Sequence, residues 1–318
     1  MPTVLTKAPA DPDVDRLRAV LDGHRVVEVE ALTRAACERA GVDPAEVGAV
    51  LGASSTDDLS LFPALEWVHS GAAGVDAWVA ADAVPAGARL TSAVGNGAVP
   101  LAEHALMLML QLSRSAPRWA QAQREHRWDR FVHGELAGST LGLVGLGHSG
   151  TDLAGKALAC HMSVLALTGR PRDTEVPGVT LLHGQDGLRQ LLAGSDHVVV
   201  TCPLTARTRG LIGAEELSWM RPTAFVVVVS RGGVVDEDAL VAALRAGTIA
   251  GAGLDAHPVE PLPADSPLWD LPNVVVTPHN AATTPQTAER GRQILLDNAR
   301  RWAAGLPLRN VVDLDRGY

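Results

Sequence analysis

From its amino end the chain alternates short apolar runs with stretches whose apolar residues recur every three or four positions. The runs Thr3–Leu5, Arg25–Glu28 and Val47–Leu51 predict strands and Asp13–Leu21 predicts a helix, so residues 2–95 read as a small α/β unit. Pro100–Gln123 is apolar almost all round in its first half, which predicts one long helix buried between layers. From Ser139 onward the alternation sharpens, with strands predicted at Leu141–Val144, Val164–Leu167, His197–Thr201, Ala224–Val229, Gly251–Leu254 and Val274–Thr277. Several are continuous apolar runs, the pattern of parallel strands covered on both faces. Helical stretches lie between most of them, notably Asp236–Ala246, and predict an open, doubly wound parallel sheet. The amphipathic segment Thr284–Ala304 predicts a last helix that returns to the first domain.

Composition narrows the classes of function. A chain of 318 residues that is 47% hydrophobic and 20% charged is globular and long enough for two domains, each with its own core. Its 36 acidic residues exceed 27 basic ones and are spread along the chain, so the basic footprint needed to hold a phosphate backbone is missing. The three cysteines, Cys37, Cys160 and Cys202, form no CxxC pair and no close Cys/His set, which speaks against a disulfide framework or a zinc site. The amino terminus lacks the apolar core of a signal peptide, and no apolar run is long enough for a membrane span. The expectation is a cytoplasmic protein without nucleic-acid or membrane partners and without a metal.

The first chemical motif lies where Leu141–Val144 meets the next helical stretch. Gly145, Gly147 and Gly150 have the G-x-G-x-x-G spacing: the first for a tight turn, the second for close approach of backbone to a pyrophosphate, the third for close packing of helix on strand. A site that prefers NAD carries Asp or Glu at the end of the next strand, about 20 residues on, to bind the ribose 2′-hydroxyl. Here that end reads Thr168-Gly169-Arg170-Pro171-Arg172, with no carboxylate and with two arginines that suit a 2′-phosphate. The prediction is NADP(H) as the preferred cofactor, with NAD(H) also accepted; the other reading makes this a solvated basic turn in which Asp173 or Glu175 takes the acid's part.

Three later residues follow three strands. Arg231 follows Ala224–Ser230, Glu260 follows Gly253-Leu254-Asp255, and His279 follows Val274–Pro278, at the edge where open α/β sheets bind ligands. Each alone has a structural reading, as a carbonyl cap, a Glu-Pro turn or a core histidine. Together they supply the cation and general acid that reduction of a 2-keto acid requires.

The segments Val229–Asp236, Gly253-Leu254-Asp255 with Val259-Glu260-Pro261, and Thr277-Pro278-His279 resemble the signatures of the D-isomer-specific 2-hydroxyacid dehydrogenases. The glycine loop precedes them in the right order. Gly74-Val75-Asp76, Ala102–Ala105, Pro203-Leu204-Thr205 and Asn310–Asp313 extend the likeness over nearly the whole chain. The resemblance implies a doubly wound, parallel-sheet Rossmann cofactor domain, residues 98–282, inserted into a smaller flavodoxin-like α/β substrate domain made of residues 1–97 and 283–318.

It further implies that Arg231 binds and polarises the keto acid, that His279 donates the proton, and that Glu260 orients His279 and favours its protonated form. Ala73 and Gly74 would hold the substrate carboxylate through backbone N–H groups. Cofactor contacts would come from Gly145, Gly147, His148, Ser149, Gly150, Thr168, Gly169, Arg170, Cys202, Pro203, Thr208 and Asp255, the last on the nicotinamide carboxamide. The Thr168-Gly169-Arg170 ending is similar to the glyoxylate and hydroxypyruvate reductase branch, which makes those the first substrates to expect, and the family implies a homodimer. Asn280 stands where most relatives carry a small apolar residue, and Thr201 where many carry histidine. Glu260 replaces the glutamine of formate dehydrogenases and Ala73 the lysine of phosphite dehydrogenases, which sets those two reactions aside. A specialised biosynthetic reductase, and a corepressor that keeps the fold and cofactor site but works by binding partners, are the alternatives.

Overall fold

The computed structural model describes residues 2–7, 14–171, 173, 174 and 176–318. Two units are distinguished by their internal contacts: the described residues of Met1–Asn96 with Thr284–Tyr318, and Gly97–Thr283.

The first unit runs β1 (Thr3–Lys7), α1 (Val14–Val20), β2 (Arg25–Val29), α2 (Arg34–Arg39), β3 (Val47–Leu51), β4 (Trp67–Ser70), α3 (Asp76–Ala81) and β5 (Arg89–Ser92). Its sheet has the order β2-β1-β3-β4-β5 with every pair parallel, the flavodoxin-like arrangement. Every residue of β3 is buried, which is why Val47–Leu51 reads as an unbroken apolar run. The strands β4 and β5 escape the hydrophobic pattern because they bury polar groups. Trp67 Nε1 and His69 Nδ1 both meet Thr91 Oγ1 at 2.8 Å, and His69 and Thr91 are register partners, so the polar atoms satisfy one another across the strands. The helix predicted at Asp13–Leu21 is α1; Asp13 itself lies outside the described residues.

The second unit opens with α4 (Ala98–Ser113) and α5 (Ala116–Arg124), then β6 (Thr140–Val144), α6 (His148–Ala159), β7 (Ser163–Thr168), β8 (Val179–His183), α7 (Gly184–Gly194), β9 (His197–Val200), α8 (Ala214–Ser218), β10 (Phe225–Val228), α9 (Glu237–Ala246), β11 (Gly251–Leu254) and β12 (Val274–Val276). All pairs are parallel in the order β12-β11-β10-β9-β6-β7-β8, the doubly wound arrangement whose direction of build reverses between β6 and β9. The last helix, α10 (Pro285–Ala303), belongs to the first unit and is capped by Thr284, whose side chain accepts the Thr287 N–H.

The single helix predicted over Pro100–Gln123 is two helices. Pro117 has no N–H to give the Ser113 carbonyl, which accepts from Gly134 at 3.0 Å instead, and Ser115 turns left-handed with φ 50. Nor is α4 covered all round. Ala102, Ala105, Leu108, Met109 and Leu112 form a buried stripe at helical spacing, while Val99, Met107 and Leu110 are exposed. The edge strand β8 also lies outside the predicted set: only Leu182 of its five residues is buried, so its sequence carries no continuous apolar run.

Candidate active site

The turn after β6 is built around what its glycines lack. Gly145 has φ +106, and a Cβ there would lie 2.8 Å from the amide nitrogen of Cys202. A Cβ on Gly150 would stand 2.6 Å from the Gly145 carbonyl oxygen, which also accepts the Thr201 hydroxyl at 2.8 Å. Gly147 caps α6, and no atom lies within 4 Å of where its Cβ would be. His148 is exposed and Ser149 half-buried in the first turn, where unpaired amides and the helix dipole favour an anion. The open space at Gly147 and the α6 terminus fit a pyrophosphate.

At the end of β7 the buried Thr168 donates its hydroxyl to the Arg170 carbonyl at 2.9 Å. With that hydrogen committed, His183 Nδ1, also 2.9 Å from Thr168 Oγ1, is the donor of the second bond. Gly169 and Arg170 are exposed beside it, while Arg172 and Glu175 lie outside the described residues. After β9, Cys202 is buried against Gly145, and burial pushes its thiol up to about 12, leaving a neutral packing group. Thr208 closes the following loop by donating to the Pro203 carbonyl at 2.7 Å and accepting the Thr205 N–H at 2.8 Å.

The strands β10, β11 and β12 are neighbours with Val228, Leu254 and Val276 in register, so their carboxyl ends share one edge of the sheet. From that edge come Arg231, Asp255 with Glu260, and His279. Half-buried Arg231 donates Nη1 to the Ser230 carbonyl at 2.7 Å. Glu260 is held at both oxygens: Oε1 accepts the His257 N–H at 2.8 Å and Oε2 lies 2.7 Å from His279 Nδ1. Burial by itself would raise the Glu260 pKa, but the His257 amide and then the His279 ring outweigh it and hold the carboxyl below its ordinary value. The ionised carboxylate makes Nδ1 the donor and leaves Nε2 to exchange a proton with a bound molecule.

His279 itself sits at φ 49, a left-handed conformation that costs a residue with a Cβ about 1–2 kcal/mol. Asp255 supports it. This carboxylate, fully buried, accepts the Thr277 hydroxyl at 2.6 Å and the Asn280 N–H at 3.2 Å on Oδ1, and the Ala281 N–H at 3.0 Å on Oδ2. Both of its oxygens are thus engaged by the chain itself. Ala73 and Gly74 lie in the other unit, in the loop between β4 and α3, Ala73 exposed and Gly74 half-buried. Two contributors were given no role by the sequence: Thr201, which pins the glycine turn, and His104, whose Nε2 lies 2.9 Å from Thr277 Oγ1. Among the described residues no group of His, Cys, Asp and Glu could hold a metal, and no helix is long and apolar enough to cross a membrane.

Strand order and glycine turn define the second unit as a dinucleotide-binding α/β unit with a carboxylate-bound histidine at the carboxyl edge of its sheet. Residues 106–281 match the model of the D-isomer specific 2-hydroxyacid dehydrogenase, NAD binding domain, and the chain belongs to this family. It is 39% identical over 230 residues to a D-3-phosphoglycerate dehydrogenase of Archaeoglobus fulgidus, covering 71% of this chain and 43% of the relative, so the chain spans less than half of that protein's length. A D-isomer specific 2-hydroxyacid dehydrogenase of Xanthobacter autotrophicus Py2, solved with NADPH and MES, superposes with a TM-score of 0.85 at 37% identity, covering 100% of this chain and 99% of the other. An NADPH-dependent glyoxylate/hydroxypyruvate reductase of Sinorhizobium meliloti, solved with NADP and sulfate, gives a TM-score of 0.82 at 28% identity, with 100% of both chains covered.

Proposed function

We propose that the chain reduces a small 2-keto acid of the glyoxylate or hydroxypyruvate type to the D-2-hydroxy acid, with NADP(H) preferred over NAD(H). The carrying observation is the Glu260–His279 pair, fixed at both carboxylate oxygens and emerging from the same sheet edge as Arg231. A bound nicotinamide would supply the hydride for the carbonyl carbon. His279 delivers a proton from Nε2 to the carbonyl oxygen while Glu260, ionised, stabilises the imidazolium that carries it. Arg231 binds the substrate carboxylate and draws electron density toward the carbonyl oxygen. The turn at Gly145–Gly150 holds the pyrophosphate, and Gly169 with Arg170 accepts the 2′-phosphate where a carboxylate would repel it. The NADPH and NADP seen in the two solved relatives support that preference, and the Sinorhizobium protein's named substrates support the substrate class.

The working form in this reading is a cytoplasmic homodimer. The dimer is supported by the exposed apolar side chains of the second unit, where Trp128 is 91% and Val132 100% exposed and Phe131 packs on Trp119 of α5. Light scattering that returns a monomer overturns the dimer. The function is tested by following NADPH and NADH oxidation against a panel of 2-keto acids. Turnover of glyoxylate or hydroxypyruvate, faster per KM with NADPH, is the expected result; cofactor binding with silence across the panel overturns it.

A further inference from the structure

The His279 turn has few anchors of its own. Pro278 carries no N–H, and the His279 amide is spent on the Thr277 carbonyl at 3.1 Å, so the left-handed turn depends on the bonds that flank it. Those bonds converge on Asp255, which takes the amides of Asn280 and Ala281 on one side and the Thr277 hydroxyl on the other. We propose that Thr277 and His104 are positioning residues: they lock the Asp255 carboxylate in the orientation that clamps both flanks of His279, and so set His279 against Glu260. The proposal rests on the reading of His279 as proton donor, but its structural half is testable without that reading.

The proton count assigns each role. Thr277 has one hydroxyl hydrogen, and the 2.6 Å bond to Asp255 Oδ1 takes it in preference to the Leu254 carbonyl at 3.5 Å. The hydroxyl can then only accept from His104 Nε2 at 2.9 Å, which makes Nε2 the protonated nitrogen of that ring. The same nitrogen lies 3.5 Å from Asp255 Oδ1, so His104 aims a donor at both members of the pair. His104 belongs to α4 and its side chain is only 14% exposed. The helix that opens this unit is in this way tied to the loop at the end of the last strand. A buried carboxylate with three or four donors has little freedom to rotate, and a clamp of this kind carries the precision that proton transfer needs.

The test uses the full chain with Thr277→Val, Thr277→Ser, His104→Leu and His279→Ala. Thr277→Val keeps the side-chain shape and removes both hydrogen bonds; Thr277→Ser restores them. Hydrogen–deuterium exchange over residues 277–281 is read together with NADPH affinity, kcat and KM. The expected result is faster amide exchange in Thr277→Val and His104→Leu and a kcat lower by ~10- to 100-fold, with NADPH affinity within about twofold of the parent, and recovery of both in Thr277→Ser. Wild-type exchange and kcat in Thr277→Val overturn the proposal. So does failure of Thr277→Ser to recover, which would make the site one of packing. Should Thr277→Val not fold, His104→Leu decides the same question from the other end of the chain of bonds. Wild-type turnover in His279→Ala refutes the catalytic reading instead, and the exchange result then stands alone for or against the clamp.

Discussion

Replacing Gly147 and Gly150 separately by alanine should split folding from cofactor binding, because the two added methyl groups meet different surroundings. At Gly147, φ −78 and ψ −163 suit any residue, and no protein atom lies within 4 Å of the new Cβ. The gain from a stiffer unfolded chain, ~0.4–1 kcal/mol, is offset by the poorer N-cap that alanine makes, so Gly147→Ala should change stability by less than about 1 kcal/mol. The methyl instead fills the space assigned to the pyrophosphate. Loss of one or more charge-assisted bonds to phosphate, about 1.5–3 kcal/mol each, should weaken NADPH binding by ~10- to 100-fold. At Gly150 the methyl lies 2.6 Å from the Gly145 carbonyl and 3.0 Å from Thr201 Oγ1, so α6 must move away from the turn. Overpacking of this kind costs ~1–3 kcal/mol, equivalent to a fall in melting temperature of roughly 3–10 °C for a unit of this size. Thermal melts without cofactor and fluorescence titration with NADPH read the two effects separately. A Gly147→Ala protein that binds NADPH like the parent refutes the placement of the pyrophosphate, and a Gly150→Ala protein that melts like the parent refutes the packing argument.

Other outcomes follow from the same geometry. His279→Ala and Arg231→Ala should each lower turnover of the keto acid by at least ~100-fold, and near-parental turnover removes the residue from its assigned role. Arg170→Ala should raise the KM for NADPH ~10-fold while leaving that for NADH within about twofold; equal effects on both would show that Arg170 does not sense the 2′-phosphate. Burial lowers His69 to about 4, and also His197, against a smaller opposing pull from Asp196. Both folded values lie below the unfolded one, so the stability these rings contribute is complete above pH ~6.5 and is lost as pH falls toward 4, by about 3 kcal/mol each. Urea unfolding between pH 7.5 and 4.5 should show this loss, and His69→Gln should flatten it; a midpoint independent of pH over that range contradicts the assignment. Asp129, whose bonds to Arg118 and Arg127 outweigh burial and hold it at about 2, does not titrate there.

Much of the architecture was legible because it rests on local rules. Parallel strands covered on both faces must be apolar throughout, so β3, β6, β9 and β10 announce themselves as Val- and Leu-rich runs. The glycines at 145 and 150 are legible since a turn that admits no Cβ leaves no other residue type, whereas Gly147, whose Cβ would meet open space, is legible only through the spacing of the motif. The strands β4 and β5 were not, because His69, Ser70, Thr91 and Ser92 break the hydrophobic pattern: His69 and Thr91 satisfy each other across the strands, while Ser70 and Ser92 accept the N–H groups of Ala72 and Val94. The end of the long apolar helix was half legible in Pro117; that Gly134 would take over the Ser113 carbonyl was not.

The candidate site divides in the same way. The chain order of Arg231, Glu260 and His279, each just past an apolar run, determined which side chains reach the carboxyl edge, since a parallel sheet sends every strand end to the same side. Only the tertiary structure decided that Glu260 would be gripped at both oxygens, that His279 would turn left-handed, and that Asp255 would be buried and spent on the loop. His104 shows the reason most plainly: it meets Thr277 across 173 positions of sequence, and a hydrogen bond between residues so far apart obeys no local period. Motifs record what one segment must be, whereas the orientation of a buried polar group is set by every donor packed around it, and those donors come together only when the sheet and its helices are assembled.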